Sequence, residues 1–440
     1  MPPAAGSTLF APAAGGLRGS LEVPADKSIS HRAAMIAAVG DSPVEISNYL
    51  EAADTFSTLD AIRSCGVVVE RSQAGIYRIK GSGLRSLTAP GKVIDVGNSG
   101  TSLRLLPGIL AGQPGQSFTL DGDASIRRRP MDRVVAPLRM MGVDIEARDG
   151  RFAPLVVRGG AVHAVTYEMP VASAQVKSAL LLAGLFADGP TTVREPSVCR
   201  DHTEIMLAAA GARIEKEGQL TTIHPVESLR MADVAVPGDL SSAAFFLVAA
   251  SIIPGSDVLL TGVGVNPTRT GIVDIMEEMG ADITRENERR QGGEPVADLR
   301  VRTAPALRGV SAGGGISGRA IDELPLVALA AAFAEGDTVV SGAAELRVKE
   351  SDRIAGLVEN LRRIGVDIEP REDGFTVHGS GGVPGSGEKF KSLGDHRMAM
   401  LGAVAGAASR RGVTVQGFEC VSVSYPGFRE SLLGLMEGKA

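Results

Sequence analysis

Basic side chains recur where helices are expected to begin, although the chain carries a net charge of −6. A helix start offers unpaired N–H groups and a partial positive charge, so it attracts anions. Opposite charges about 4 Å apart gain roughly 4 kcal/mol at an effective dielectric of about 20. Each cation alone could be an ordinary surface charge, but together they predict a basin for several negative charges. The set comprises Lys27, Arg32, Arg104, Arg129, Arg200, Lys349, Arg353 and Arg397.

Small polar or charged residues also open six apolar helices. Capping alone can explain each of them, because Ser, Asn and Asp accept hydrogen bonds from exposed backbone N–H groups. Capping is the better interpretation at Asp239, where no basic residue is close in sequence. The six starts are Lys27-Ser28, Asn98-Ser99-Gly100-Thr101, Ser173-Ala174-Gln175, Asp239-Leu240-Ser241-Ser242, Asp322-Glu323 and Asp395-His396-Arg397.

Candidates for acid–base chemistry are few. A lysine among other cations loses its proton more readily, which suits Lys27 to proton transfer. Asp322 and Glu350 are candidate bases, although helix capping and an ion-pair network, respectively, are simpler explanations. His31 and His396 are weaker candidates, because an isolated histidine is usually structural.

Other classes of chemistry lack their motifs. The sequence contains no GxxxxGK[ST], HExxH or CxxC motif, and we identify no GxGxxG string that opens a dinucleotide-binding fold and no GxSxG nucleophile elbow. Aromatic residues make up 4% of the chain and Trp is absent, so stacking surfaces for nucleic-acid bases are not expected. The negative net charge also argues against nucleic acid and membrane surfaces as partners. We expect no metal and no cofactor.

Two helix families alternate along the chain and must position these side chains. In the first, a helix ends in Gly and an alternating strand follows, which predicts a left-handed C-cap and a β-strand. The second family is rich in Ala and Leu on nearly all sides, so its six helices should be buried. The string LLGLMEGKA resembles a sixth copy of the first family that stops after its helix. The glycines recur about every 70 to 85 residues, at Gly66, Gly142, Gly211, Gly280 and Gly365.

Length and composition favour a globular protein of two domains. The length of 440 residues exceeds the usual size of a protein with one core. The composition, with 44% hydrophobic and 22% charged residues, is typical of globular proteins. No apolar run reaches the roughly 18 residues of a membrane span. We interpret MPPAAGSTLFAPAAGG as a flexible lead-in rather than a secretory signal. Cys65, Cys199 and Cys420 fit buried, reduced thiols in a cytoplasmic protein.

Eight strings together resemble the 5-enolpyruvylshikimate-3-phosphate (EPSP) synthase family. They occur in family order across nearly the whole chain, and such a series is very specific. The strings are LEVPADKSISHR, GNSGTSLR, GDASIRRRPMDRV, SAQVKSALL, RDHTE, IDELP, RVKESDRI and GDHRMAM.

The resemblance implies an α/β fold in two inverted, barrel-like domains, each of three βαβαββ repeats. It implies that residues 1–24 and 237–440 form one half-domain and residues 25–236 the other, with the active site in the interdomain cleft. The crossings are expected near Val23–Ala25 and Val236–Gly238. We also expect a monomer.

The family transfers the enolpyruvyl group of phosphoenolpyruvate to the 5-hydroxyl of shikimate 3-phosphate and releases phosphate. The resemblance implies catalytic roles for Lys27, Asp322 and Glu350. It implies phosphoenolpyruvate contacts for Lys27, Gly100, Arg129, Arg353 and Arg397. Contacts with shikimate 3-phosphate are implied for Lys27, Ser28, Arg32, Ser173, Ala174, Gln175, Arg200, Asp322 and Lys349.

Three positions depart from the family pattern. Ala174 stands where many members have serine, and Glu345 where some have asparagine. Val423 aligns with a lysine of some members, which removes one candidate phosphoenolpyruvate contact. Gly100 is the small residue that the herbicide glyphosate abuts in the family, so we expect sensitivity to glyphosate.

Two alternatives remain open from the sequence. The sister enzyme transfers enolpyruvyl to UDP-N-acetylglucosamine, but its loop typically carries a cysteine where this chain has DASIRRRPM. A non-catalytic binder of phosphorylated metabolites would keep the arginines and could lose Lys27, Asp322 and Glu350. The presence of all three favours catalysis.

Overall fold

The computed structural model describes residues 6–385 and 389–439. It divides into two compact units. Unit 1 comprises Met1–Pro24, Gly238–Arg289 and Pro295–Ala440, and unit 2 comprises Ala25–Pro237 and Arg290–Glu294. Each unit has a hydrophobic core of its own. The short segment Arg290–Glu294 lies outside the half-domain 25–236 expected from the sequence.

The helices alternate with short strands along the whole described chain. The α-helices are α1 (Lys27–Ala38), α2 (Ala53–Ser64), α3 (Gly100–Leu110), α4 (Asp132–Met140), α5 (Ala174–Gly184), α6 (His202–Ala209), α7 (Leu240–Ile252), α8 (Gly271–Met279), α9 (Gly315–Arg319), α10 (Leu324–Ala331), α11 (Arg353–Arg363), α12 (His396–Ala408) and α13 (Phe428–Glu437). Short 3₁₀ helices span Ile126–Arg128, Ala344–Val348 and Phe418–Val423.

The strands are short. They are β1 (Ser7–Phe10), β2 (Arg18–Glu22), β3 (Pro43–Ser47), β4 (Val68–Gln73), β5 (Ile76–Lys80), β6 (Ile94–Asp95), β7 (Ser117–Asp121), β8 (Asp144–Arg148), β9 (Phe152–Arg158), β10 (Thr166–Glu168), β11 (Thr191–Arg194), β12 (Ile214–Glu217), β13 (Leu220–Ile223), β14 (Val234–Ala235), β15 (Asp257–Gly264), β16 (Asp282–Gln291), β17 (Glu294–Arg302), β18 (Leu307–Arg308), β19 (Ser311–Ala312), β20 (Ala334–Glu335), β21 (Asp337–Val340), β22 (Asp367–Arg371), β23 (Gly374–His378), β24 (Lys389–Lys391) and β25 (Val413–Gln416).

In unit 2 the described strands form three sheets with one shared order. The sheets are β14-β3-β5-β4, β6-β7-β9-β8 and β10-β11-β13-β12. In each, the first pair is parallel and the two following pairs are antiparallel. This pattern is the predicted βαβαββ repeat, and β14 supplies the first strand of the first copy from the far end of the unit.

Unit 1 repeats this arrangement with one modification. Its described sheets include β2-β15-β17-β16 and β19-β21-β23-β22, plus a two-stranded sheet, β18-β20. The last copy pairs β24 with β25 in parallel, and the N-terminal β1 then joins β25 antiparallel, with Phe10 opposite Val413. The predicted α/β repeats are therefore confirmed, although none of the sheets in the described chain is a closed barrel.

The N-terminal strand corrects one expectation. Residues 7–10, interpreted from sequence as part of a flexible lead-in, form β1 and complete the sixth repeat. The first five residues of that segment lie outside the described part of the chain. Backbone pairing with β25 satisfies the hydrogen bonds of this strand, and the short segment has no clear strand alternation that would have indicated the pairing.

The six Ala/Leu-rich helices are buried, as predicted. Every residue of α7 is buried, and α7, α10 and α12 contact one another. In unit 2, α3 packs against α1 and α5. The five repeat glycines all have positive φ, between 78° and 100°, which confirms the left-handed helix ends.

The thiols and the helix lengths agree with the sequence. All three cysteines are free, with Cys65 and Cys199 buried and Cys420 partly buried. Among the described residues, no helix combines the length and the hydropathy that crossing a membrane requires.

Candidate active site

Lys27 is the first residue of α1 and has an acidic partner. Asp26 caps the helix by accepting the Ile29 N–H at 2.9 Å. The Lys27 ammonium lies 2.9 Å from the Asp54 carboxylate, near the start of α2, and that carboxylate is 12% exposed. Sequence reasoning considered only the cations near Lys27 and missed Asp54. Twenty-seven residues separate the two, and no motif links them.

Arg32 is buried where α1, α5 and α6 meet. Its guanidinium donates to Thr203 Oγ1 at 2.7 Å, to Ser178 Oγ at 2.8 Å and to the Ser28 carbonyl at 3.0 Å. Burial lowers the pKa of Arg32 to about 10, and the nearby Arg200 adds to the decrease. The group therefore remains charged at neutral pH. Arg200 itself directly precedes Asp201, the N-cap residue of α6.

The start of α5 presents a partly exposed polar segment. Ser173 caps the helix by accepting the Val176 N–H at 3.4 Å. Gln175 accepts from Arg104 Nη1 at 2.9 Å and donates to Thr101 Oγ1 at 3.3 Å. Ala174 lies between these two residues, and its carbonyl accepts from the Ser178 hydroxyl.

Two guanidinium groups approach Gly100, the first residue of α3. A Cβ added there would lie 2.9 Å from Arg129 Nη1 and 3.0 Å from Arg104 Nη1. Glycine therefore permits this close approach of the two guanidinium groups, and its φ is not in the left-handed region. Ser99 caps this helix through the Ser102 N–H.

In unit 1, three carboxylates converge on the buried Arg353. The guanidinium lies 2.8 Å from Asp395, 2.7 Å from Glu350 and 3.2 Å from Asp322. Burial alone would lower the pKa of Arg353, but the carboxylates of Asp395, Glu350 and Asp322 more than offset it and raise the pKa. Glu350, at 34% exposure, is the most accessible of the three carboxylates.

Lys349 and Arg397 join the same group. Lys349 lies 3.4 Å from Asp322 and 3.7 Å from Glu345. Arg397 donates to the Asp322 carbonyl at 3.4 Å and lies 3.5 Å from the Glu323 carboxylate. The five residues predicted from this half of the chain thus lie together: Asp322, Lys349, Glu350, Arg353 and Arg397.

Two sequence interpretations need correction here. The N-cap residue of α10 is Glu323, without a capping hydrogen bond from its side chain, and Asp322 instead binds cations. Asp239 does cap α7, but Arg269 lies beside it, 3.0 Å from Asp239 and 2.6 Å from the Ser241 hydroxyl. Arg269 was not predicted from the sequence because 30 residues separate it from Asp239.

Asp395 has a larger role than its helix-start position suggested. Burial would raise its pKa, but Arg353 overrides this effect and holds the pKa below its usual value. The carboxylate also accepts the Arg397 N–H at 2.9 Å, so it links Arg353 to the start of α12. The GDHR string contains both Asp395 and Arg397, but only Arg397 was predicted from it as a site residue.

His31 has a structural role, which is the usual role of an isolated histidine. Its Nδ1 lies 2.6 Å from Thr58 Oγ1, which lies 2.6 Å from Ser102 Oγ in α3. Burial lowers the pKa of His31 to about 3, so the ring is neutral at physiological pH. His396 is also buried, at the start of α12. Val423 is partly exposed at the end of the last 3₁₀ helix.

The two groups of residues offer different chemistry. Unit 2 provides cations with hydroxyl and amide partners, an environment suited to phosphate. Unit 1 provides carboxylates beside cations, which suits proton transfer next to a bound anion. Unit 2 therefore suits anion binding, and unit 1 suits anion binding combined with proton transfer.

Comparison with known proteins identifies the family. The family model described as EPSP synthase (3-phosphoshikimate 1-carboxyvinyltransferase) matches residues 13–432. The chain belongs to the EPSP synthase family. The family predicted from the eight strings is thereby confirmed, and every predicted site residue lies within the matched span.

Individual members of the EPSP synthase family match over nearly their whole length. The 3-phosphoshikimate 1-carboxyvinyltransferase of Alkalilimnicola ehrlichii is 52% identical over 417 residues, 94% of this chain and 93% of the relative. That of Pelotomaculum thermopropionicum is 51% identical over 422 residues, 96% of this chain and 97% of the relative. The chain spans the relatives almost completely, so the likeness concerns the whole enzyme.

Solved structures agree. An EPSP synthase from Acinetobacter baumannii superposes with a TM-score of 0.88 at 42% identity, covering 97% of both chains. The enolpyruvyl transferase NikO from Streptomyces tendae superposes with a TM-score of 0.78 at 21% identity, covering 98% of both chains. The second likeness shows the fold alone. Together they confirm the predicted enolpyruvyl transferase fold.

Proposed function

We propose that this enzyme transfers the enolpyruvyl group of phosphoenolpyruvate to the 5-hydroxyl of shikimate 3-phosphate, releasing phosphate, in the biosynthesis of aromatic amino acids. The family match across residues 13–432 carries this conclusion. The two charged groups supply what the reaction needs, because phosphate and carboxylate ligands repel one another until cations neutralise them.

Shikimate 3-phosphate is assigned to cations and polar residues that lie at or near helix starts. Arg32 and Arg200 neutralise its phosphate, and Ser28, Ser173, Ala174 and Gln175 line it with backbone and side-chain polar groups. Lys27, Lys349 and Asp322 are assigned to the ring hydroxyl groups. Support comes from the fixed, buried position of Arg32, which holds its charge without needing to reorganise.

Phosphoenolpyruvate is assigned to Lys27, Gly100, Arg129, Arg353 and Arg397. The close approach of the Arg129 guanidinium to Gly100 supports this assignment, because it places a cation beside the N-terminal N–H groups of α3. Arg353 and Arg397 would bind carboxylate and phosphate oxygens, for which a guanidinium fork is suited.

The reaction requires balanced proton transfers. Asp322 takes the proton of the 5-hydroxyl group as the hydroxyl oxygen attacks C2 of phosphoenolpyruvate. At the same time an acid protonates the C3 methylene, which gives a tetrahedral intermediate. Loss of a proton from that methyl group then expels phosphate and restores the double bond. We assign the exchange at C3 to Glu350 and Lys27. Glu350 is the most accessible carboxylate of those around Arg353.

Phosphate release from phosphoenolpyruvate tests the proposal. The enzyme should release phosphate with shikimate 3-phosphate and not with UDP-N-acetylglucosamine. Lys27→Ala and Asp322→Ala should each lower kcat by at least about 100-fold with an unchanged circular dichroism spectrum. Val157→Ala, a truncation in the core of unit 2, serves as the control and should retain kcat. Near-normal kcat in either of the first two variants would refute the role of that residue.

Three further properties belong to this proposal. We propose inhibition by glyphosate, because Gly100 leaves the space that the family's pocket uses. We propose the cytoplasm as the compartment, supported by the free state of all three cysteines. We propose a monomer, which light scattering of the purified enzyme tests.

A further inference from the structure

A buried ion triad in unit 2 lies outside the assigned site. The Lys177 ammonium, on α5, lies 2.8 Å from the Glu195 carboxylate, just after β11, and 2.6 Å from the Glu204 carboxylate, on α6. The three side chains are 0%, 1% and 6% exposed. The triad therefore joins three separate parts of the chain inside the core of the unit.

The triad is costly to bury. Removing ions from water costs several kcal/mol each, and apolar residues of similar size often replace such groups without loss of stability. Here one cation faces two carboxylates, and within the described chain Glu195 Oε1 has no hydrogen-bond partner. Burial raises the pKa of Glu204 despite the nearby lysine. Stability alone is a weak reason for such a group, so its position in the fold matters.

Each end of the triad adjoins a residue that holds Arg32. Ser178 follows Lys177 and accepts from Arg32 Nη2, and Thr203 precedes Glu204 and accepts from Arg32 Nε. The two hydroxyls also contact each other at 2.7 Å. Fixing Lys177 against Glu204 thus fixes the spacing of the two hydroxyls on α5 and α6.

Two members of the triad also lie at the two ends of the segment that carries Arg200 and hold these ends in place. Glu195 lies at one end of this segment and Glu204 at the other, and Glu195 accepts the Cys199 N–H at 3.2 Å. The N-cap residue Ser173 and the first residues of α5, Ala174 and Gln175, lie within about one turn before Lys177. The residues assigned to the phosphate of shikimate 3-phosphate are therefore attached to the triad from two sides.

We propose that Lys177, Glu195 and Glu204 are positioning residues that set the phosphate-binding geometry of Arg32 and Arg200. The triad does not touch the substrate and acts by holding α5, α6 and the segment between β11 and α6 in register. This inference rests on the proposed function for the identity of the ligand.

Two variants separate positioning from stability. Glu204→Gln keeps the Lys177–Glu195 pair and removes the charged link to α6. Lys177→Met/Glu195→Gln/Glu204→Gln neutralises all three groups at similar volume. Val157→Ala, on β9 in another sheet of the same unit, is the control for lost stability without a change in these contacts. For each protein we would measure Tm, KM and kcat for both substrates, and the Kd of shikimate 3-phosphate by calorimetry.

We expect the triple variant to raise KM and Kd for shikimate 3-phosphate by about tenfold or more, and Glu204→Gln to raise them by a smaller factor. The KM for phosphoenolpyruvate should stay within about twofold of wild type. Val157→Ala should lower Tm and leave both KM values unchanged. If the triple variant does not fold, the KM and Kd of Glu204→Gln for shikimate 3-phosphate test the inference.

Folded variants with unchanged KM and Kd for shikimate 3-phosphate would overturn the inference, whatever their Tm. That outcome differs from failure of the proposed function, in which the wild-type enzyme itself would neither turn over nor bind shikimate 3-phosphate. Equal increases of both KM values would also contradict it, because they would indicate a general loss of structure.

Discussion

Arg353 combines a structural position with a proposed role in phosphoenolpyruvate binding. Its side chain is 1% exposed and in contact with three carboxylates, so we expect a ligand anion to compete with these carboxylates for the guanidinium. Asp395 is fully buried and bound to the helix start, whereas Glu350 is 34% exposed. Glu350 is therefore the partner that can leave Arg353, which is consistent with its proposed part in proton exchange.

Gly100→Ala tests the close approach of two guanidinium groups. The new Cβ would lie 2.9 Å from Arg129 and 3.0 Å from Arg104, so both side chains must shift. We expect KM for phosphoenolpyruvate to rise about tenfold and the inhibition constant of glyphosate to rise by a larger factor. Steady-state kinetics measure both. Gly160→Ala, where an added Cβ meets nothing within 4 Å, is the control. Unchanged inhibition in Gly100→Ala would refute the proposed glyphosate contact.

His31 provides a prediction about pH. Burial lowers its pKa to about 3, whereas an unfolded histidine has a pKa of about 6.5. As pH falls below about 6.5, the unfolded chain binds the proton first, so the contribution of His31 to stability is present at neutral pH and is lost towards acid.

Nuclear magnetic resonance of ¹⁵N-labelled histidine checks this directly. The His31 ring, assigned by His31→Gln, should stay neutral from about pH 8 to about pH 4. His378 is the internal comparison, because its hydrogen bond to Asp337 raises its pKa. Titration of His31 near pH 6 would contradict its buried setting.

At the scale of elements, the repeat glycines end helices in a conformation that side chains avoid. Gly211, after α6, has a φ of 96°, and a Cβ added there would meet nothing within 4 Å. Gly211→Ala should therefore destabilise through the backbone alone, by about 1 kcal/mol. Gly160→Ala has equal space and no positive φ, so it should leave Tm unchanged or slightly raised. Calorimetry of both variants decides, and equal Tm values would show that the helix end is not strained.

Local patterns explain why these elements were predictable. The glycine that ends each helix of the first family and the Ala/Leu content of each helix of the second family act within a few residues, so the sequence displays them directly. The strand β1 was missed because its partner, β25, lies some four hundred residues away. A short segment without strong alternation does not reveal such pairing.

The difference between local patterns and contacts over long distances in sequence also applies to the candidate site. Arg353, Lys349 and Glu350 were found because they share one string, and Lys27, Ser28 and Arg32 because they share another. Asp54 and Arg269 were missed, since their contacts with Lys27 and Asp239 join residues far apart in sequence. The buried triad was missed for the same reason.

At the scale of the molecule, each unit carries a complete set of three repeats. Unit 1 closes its set with the N-terminal β1 and β2, and unit 2 with β14. Each unit has its own core, and both contribute residues that the proposed reaction requires. In the proposed reaction, both units therefore contribute to a single activity.

Incubation with phosphoenolpyruvate labelled with ¹³C at C3 and with shikimate 3-phosphate tests the central claim most directly. Nuclear magnetic resonance should show the labelled methylene pass into an enol ether on the 5-oxygen, with one phosphate released per transfer. The label should remain in phosphoenolpyruvate when UDP-N-acetylglucosamine is the acceptor. Label appearing on UDP-N-acetylglucosamine, or no transfer to shikimate 3-phosphate by the folded enzyme, would contradict the account.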